Sequence, residues 1–243
     1  MDFSLQKVYN KKMQRKNRRM TGNSMATNTK SKGQETKNRI LRTARRLFFE
    51  KGYQATSCSA ISEAAGTNLG LINYYFEGKG EIGMLIYTDI RAAFDKLTEG
   101  FEPELTGVSQ FLFSCAVELY LCLYCEPFGR FYYELTSEPA FHEKVEMIIL
   151  TALMKYTQRT VSQEQALLSC LSIMAIKPAL VNYARQNPGQ IEPDAMLRYY
   201  VEQQISVLGL PPQYGSSTID TLKKYYLNLA DCFTPVMTPL LQF

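Results

Sequence analysis

The chain has 243 residues, 46% of them hydrophobic, with a formal net charge of +4, enough to bury a sizeable core in one large helical body or in a small domain plus a larger one. The charge is uneven: residues 1–34 carry +8, residues 35–81 carry +2 and residues 82–243 carry −6, which points to a polyanionic partner at one end only. Six cysteines at irregular spacing and a single histidine, with no signal-peptide pattern and no apolar run close to the ~18 residues of a membrane span, argue against a disulfide framework and set the expectation of a soluble, cytoplasmic protein without a membrane partner.

Residues 1–34 are rich in Lys, Arg, Asn, Gln, Ser and Thr, lack an apolar period and read as a flexible basic arm in which Met20 and Met25 are alternative starts. Lys7, Lys11, Lys12, Arg15, Lys16, Arg18 and Arg19 precede Met20 with only Asp2 opposing them, a distribution suited to following a phosphate backbone or entering a minor groove. From Glu35 the pattern changes. Ile40, Leu41, Ala44, Leu47 and Phe48 mark one face of a helix, which Gly52 stops. Thr56 or Ser57 can cap a second helix, whose Ile61, Ala64 and Ala65 point inward, and Gly66 ends it. Asn68 can cap a third, running to about Tyr75. Two short helices across a glycine turn form a helix-turn-helix.

Helices then follow one another at 79–98, 108–125, about 128–136, 139–160, 163–187, 193–209 and 218–232. The second of these is apolar all round and predicts a buried central helix. Ser162 and Gln165 spell a capping box, and Pro178 predicts a kink. No segment alternates convincingly. The fold class is therefore all-α, with domains at 1–34 (arm), 35–81 (helix-turn-helix) and 82–243 (helical body).

Residues 36–86 carry a specific set of spacings: Ala44, Leu47, Phe48, Gly52 and Tyr53 in "A-x-x-L-F-x-x-x-G-Y", then Ala55-Thr56-Ser57, Ile61, Ala64-Ala65-Gly66, Gly70, Tyr75-Phe76 and Lys79. Over this fifth of the chain the sequence resembles the TetR family of bacterial transcriptional repressors. The resemblance implies a palindromic double-stranded DNA operator, a homodimer and a small-molecule effector bound by the C-terminal helices. It places the second helix of the motif in the major groove. There, Leu69 would meet a thymine methyl, Asn73 would pair with adenine, and Gly70 would allow close approach. Tyr74 and Tyr75 would hydrogen-bond phosphates, and Lys79, Ser57, Cys58 and the cap Asn68 would complete the surface. The sequence departs from the family at Leu69, where a polar or basic residue is common, at Asn73, where tyrosine is frequent, and at Gly78 and Gly80, which flank Lys79 where relatives often carry a Ser or Thr cap and an acid.

In the body, Phe111, Cys115, Glu118, Cys122 and Cys125 share one helical face. A carboxylate in so apolar a segment needs a partner, either an effector group or a salt bridge to Arg130. With Tyr133, Met154 and Met174, the residues Phe111, Cys115, Glu118 and Cys122 form the expected effector pocket, adaptable and apolar. Cys122 and Cys125 spell C-x-x-C, but His142 lies on another predicted helix, so no metal site and no cofactor are expected. The absence of a Gly-rich phosphate loop and of a nucleophile with a partner speaks against an enzyme. A helical adaptor resting its basic arm on anionic membrane is the alternative, and it lacks the apolar face such binding needs.

Overall fold

The computed structural model describes residues 29–101, 105, 107–156 and 162–225. Among these residues there are ten α-helices and no strand: α1 (Thr29–Lys51), α2 (Cys58–Ala64), α3 (Leu69–Tyr75), α4 (Lys79–Phe101), α5 (Gly107–Tyr124), α6 (Glu126–Leu135), α7 (Pro139–Tyr156), α8 (Gln163–Gln186), α9 (Pro193–Leu208) and α10 (Gln213–Lys224). The all-α class and the order of helices agree with the sequence reading. The basic residues that precede Met20 lie outside the described residues.

The first three helices close over one apolar centre. Ile40, Ala44, Leu47 and Phe48 of α1 are buried together with Ile61, Ile72 and Ile82 from α2, α3 and α4. Thr56 turns back to the end of α1, where its hydroxyl donates to the Gly52 carbonyl at 2.7 Å. Ser57 is the cap of α2, accepting the Ala60 N–H at 3.1 Å. α1 begins at Thr29 rather than at Glu35. Its extra turns carry no apolar stripe, so periodicity could not see them. They pack near α3, where a Cβ on Gly33 would lie 3.3 Å from the Tyr75 hydroxyl.

α5 is buried from Leu112 to Cys122 and touches α4 and each of α6 to α10, as an all-round apolar helix should. Contrary to the sequence expectation, α5 and residues 164–186 of α8 do have the length and hydropathy of a membrane span. For α5 the central position in the body explains the composition. α8 buries one stripe, Ala166, Cys170, Ile173, Lys177 and Val181, while Leu168 and Leu171 on its other side are 58% and 61% exposed. Ser162 caps α8 by accepting the Gln165 N–H at 3.2 Å, and Pro178 lies inside the helix. α10 starts at Gln213, earlier than expected, and the ends foreseen for 139–160 and 218–232 fall partly outside the described residues.

α6 ties the first three helices to the body. Phe131 is fully buried and stacks on Phe49 and Phe48 with ring centroids 5.3 and 5.9 Å apart, which explains why Phe49, off the predicted stripe, is buried. Arg130 Nη2 donates to the Phe49 carbonyl at 2.7 Å, satisfying the C-terminal end of α1. Glu134 accepts the Gln54 N–H at 2.8 Å and Glu138 accepts the Tyr53 hydroxyl at 2.6 Å. The start of α4 presses on the same turn: a Cβ at Gly80 would lie 2.7 Å from Glu138 Oε2, and one at Gly83 would lie 2.7 Å from Leu135 and 2.8 Å from Tyr53. Gly80, a departure in the sequence, makes room for the carboxylate that holds Tyr53.

Candidate nucleic-acid interface and ligand cleft

α3 turns Ile72 inward and ends on Phe76, which are 0% and 2% exposed, and leaves Leu69 43% and Tyr74 78% exposed. Gly70 and Asn73 also face solvent. The two caps have a common design. Ser57 and Asn68 each use an oxygen to accept a backbone N–H of their own helix, from Ala60 at 3.1 Å and from Leu71 at 3.0 Å. The hydroxyl proton of Ser57 and the amide hydrogens of Asn68 then remain as donors, at helix ends whose N–H groups already favour an anion. Cys58 is half-buried beside Ser57.

Tyr75 is half-buried, with its ring 5.0 Å from Tyr74 and 6.5 Å from Phe76, and its hydroxyl lies where a Cβ on Gly33 would be 3.3 Å away. It buttresses α3 against the added turns of α1, whereas Tyr74 points outward. Lys79 Nζ donates to the Tyr53 carbonyl at 3.1 Å and sits 4.4 Å from the centre of the Tyr53 ring. This pins α4 to the α1–α2 turn and leaves two ammonium N–H groups for another acceptor.

Behind this surface the body contains a buried charge cluster. Glu118 is 3% exposed. Lys177 donates to its Oε2, the Tyr87 hydroxyl donates to Oε1 at 2.6 Å, and Arg91 Nη1 lies 3.3 Å from Oε2. Arg130, the partner considered from sequence, is occupied at the end of α1 instead. Burial alone would raise the Glu118 carboxyl. Arg91 and Lys177, with hydrogen bonds from Lys177 and Tyr87, outweigh it and pull the pKa down to about 2. Burial favours loss of the Lys177 proton, yet Glu118 holds that ammonium well above its ordinary value. Burial pushes the thiols of Cys115 and Cys122 up, which suppresses thiolate chemistry.

A cleft of about 810 Å3 opens among α4, α5 and α7. Phe111, Ile148 and Tyr156 supply its apolar wall and Arg91, Asp95 and Ser114 its polar end. Of the residues assigned to the effector pocket, Phe111 lines this cleft, with its ring 5.8 Å from that of Tyr156. Glu118 stands behind it, bonded to the lining residues Tyr87 and Arg91. Cys115 and Cys122 are buried on the Glu118 face. Tyr133 lies under Arg185 at 6.0 Å, Met174 contacts Cys170 at 3.8 Å, and Met154 packs half-buried on the core. Of the seven, Phe111 alone is in the described lining of this cleft.

Sequence reasoning missed Tyr87, Arg91 and Lys177. A signal for Lys177 was present: it is a lone charge in the apolar run "SIMAIKPAL", as Glu118 is in its own helix, and two solitary opposite charges in apolar segments are candidates for each other. Arg130, Glu134 and Glu138 showed no such signal, because their partners are mainly backbone groups.

The family model described as bacterial regulatory proteins, tetR family, matches residues 40–82. The transcriptional regulator TtgR of Pseudomonas putida is 31% identical over 80 residues, 33% of this chain and 38% of that protein. AcrR of Shigella flexneri, also a transcriptional regulator, is 41% identical over 58 residues, 24% of this chain and 27% of its own length. The chain therefore matches well under half the length of these relatives, which are named as regulators and not as enzymes. Among solved structures, NalD, the secondary repressor of the MexAB-OprM multidrug efflux pump in Pseudomonas aeruginosa, aligns over 73% of this chain and 97% of its own at 18% identity, with a TM-score of 0.46. The family match lies over the motif residues of α1 to α4, so this N-terminal segment is similar to the tetR family of bacterial regulatory proteins.

Proposed function

We propose that this protein is a ligand-responsive transcriptional regulator that binds a palindromic double-stranded DNA operator as a homodimer, acts as a repressor and is released by a small apolar or amphipathic effector. The observation that carries the reading is the division of α3, with Ile72 and Phe76 buried beneath it and Leu69, Asn73 and Tyr74 exposed on top. A seven-residue helix with a two-sided assignment of this kind suits a base-reading role in the major groove. Such an activity belongs in the cytoplasm, where the DNA is. Selection from a random DNA pool tests it: a palindrome with half-sites about 34–36 Å apart, or a multiple of that, is the expected result. Recovery of a single asymmetric half-site would overturn it.

Asn73→Ala is expected to relax base preference at one position per half-site, at a cost of about 1–3 kcal/mol against the best site. Lys79→Ala is expected to weaken all sequences alike, because a phosphate contact carries no base information. Anisotropy titrations on a panel of site variants separate the two patterns. A specificity profile unchanged by Asn73→Ala would show that another residue reads that base.

The exposed apolar residues Leu168, Leu171 and Tyr183 on α8 and Tyr199 on α9 support a second copy of the chain as partner. Leu171→Glu is expected to convert the dimer to monomer in sedimentation at micromolar concentration and to weaken operator binding with it. A wild-type protein that sediments as a monomer under those conditions would remove the dimer from the proposal. Effector binding in the body would then favour one conformation and change the spacing of the two α3 helices.

A further inference from the structure

The chemistry of the cleft narrows what it takes. Arg91 joins the cleft wall to the buried cluster. Its Nη1 lies 3.3 Å from Glu118 Oε2 and donates to the Ser114 carbonyl at 3.3 Å, while its Nη2 donates to Ser114 Oγ at 2.9 Å and to Asp95 Oδ1 at 3.2 Å. The side chains of Arg91 and Lys177 are 17% and 8% exposed, and they share one buried anion, Glu118, whose side chain is 4% exposed. The second negative charge comes from Asp95, whose side chain is 49% exposed and stands on the cleft side. Two largely desolvated cations against one buried carboxylate attract an anion and repel a cation, more strongly than they would in water. Asp95 therefore occupies the position that the acid group of a ligand would take. Lys144 and Lys155 line the same cleft, so its described lining holds three cations and one carboxylate. Phe111, Ile148 and Tyr156 provide the apolar remainder, and the volume of about 810 Å3 suits a small organic molecule.

We propose that the cleft among α4, α5 and α7 binds an amphipathic organic anion, whose acid group displaces the Asp95 carboxylate at Arg91 and whose apolar part lies along Phe111 and Tyr156. The proposal deepens the regulator reading and rests on it for the effect on DNA. Because Arg91 also holds Glu118, and Glu118 holds Lys177, an exchange of anions at Arg91 is felt by both α4 and α8.

The test uses the full chain without DNA and three probes of equal chain length: decanoate, decanol and decyltrimethylammonium, titrated by calorimetry. Decanoate is expected to bind at least about tenfold more tightly than the other two, the ratio that a single favourable charge contact of roughly 1.4 kcal/mol gives. Asp95→Asn, which removes the internal competitor, is expected to tighten decanoate binding severalfold, and Lys155→Gln, on an exposed residue, to weaken it. A merely structural Asp95 would not give a gain of affinity. Equal affinities for the three probes, no binding of decanoate, or a folded Asp95→Asn protein that binds decanoate no more tightly would each overturn the proposal. The probe series on the wild-type chain decides the matter even where a variant fails to fold. Operator binding measured in parallel separates the two readings: its absence overturns the regulator, whereas operator binding without preference for decanoate overturns the ligand class alone.

Discussion

Replacing Glu118 by Leu is expected to lower the stability of the protein by about 3–5 kcal/mol, because it strands Arg91 and Lys177 as buried cations without their shared anion. Chemical denaturation read by circular dichroism measures the loss. Adding Lys177→Met to the same chain is expected to recover part of it, since a cation left without a partner costs more than an apolar side chain of similar volume. The acid limb of the wild-type protein carries the same information. A carboxyl ordinarily near 4.5 is held at about 2 in the folded chain, so on acidification the unfolded chain takes up the proton first. The stability contributed by this group is whole above about pH 5 and is lost as pH falls from 4.5 towards 2, by roughly 3 kcal/mol. Glu118→Gln is expected to be less stable at neutral pH and flatter across that window. Parallel pH profiles for the two proteins would mean that the carboxylate is not held as the geometry indicates.

Phe131→Ala is the second substitution with a large expected effect. The ring is fully buried, stacks on Phe49 and Phe48 and meets Tyr53 edge-on at 6.2 Å. Its removal is expected to cost about 3–5 kcal/mol and to loosen the first three helices from the body. Scanning calorimetry is then expected to show two transitions where the wild-type protein shows one, with α1 to α3 melting at the lower temperature. A single transition at the wild-type temperature would place the coupling in the polar contacts of Arg130, Glu134 and Glu138 instead.

The parts of this fold that were legible in the sequence are those governed by local rules. The stripe from Ile40 to Phe48, the caps Ser57, Asn68 and Ser162 and the all-round apolar α5 each follow from period or cap chemistry within a few residues. Of the α3 residues expected to face DNA, Leu69, Gly70, Asn73 and Tyr74 are exposed, whereas Tyr75 is half-buried against α1. What was not legible depends on residues distant in the chain. Glu118 was recognised as needing a partner, but Arg91 and Lys177 reach it from α4 and α8, and of the two only Lys177, a lone charge in an apolar run, carries a local signal. Phe49 is buried only because α6 covers a second face of α1. The pocket residues were hardest to read because apolar and sulfur-containing residues are equally at home in a core: Phe111 lines the cleft, whereas Met154, Met174 and Tyr133 pack half-buried against the core.

The contact among Gly80, Gly83, Tyr53, Leu135 and Glu138 has a mechanical consequence. Where two helices meet through long side chains, the first ångström of any displacement is taken up by rotamer changes, as slack in a loose coupling is taken up before the driven part moves. At this joint the backbone of α4 meets the tips of Leu135, Tyr53 and Glu138 with no side chain of its own between them, and Lys79 clamps the Tyr53 carbonyl from the other side. Only one of the two surfaces therefore has rotamers with which to absorb a shift, and a displacement of α6 reaches the turn at Tyr53, and through it the two short helices beyond, with less lost than across a joint with long side chains on both sides.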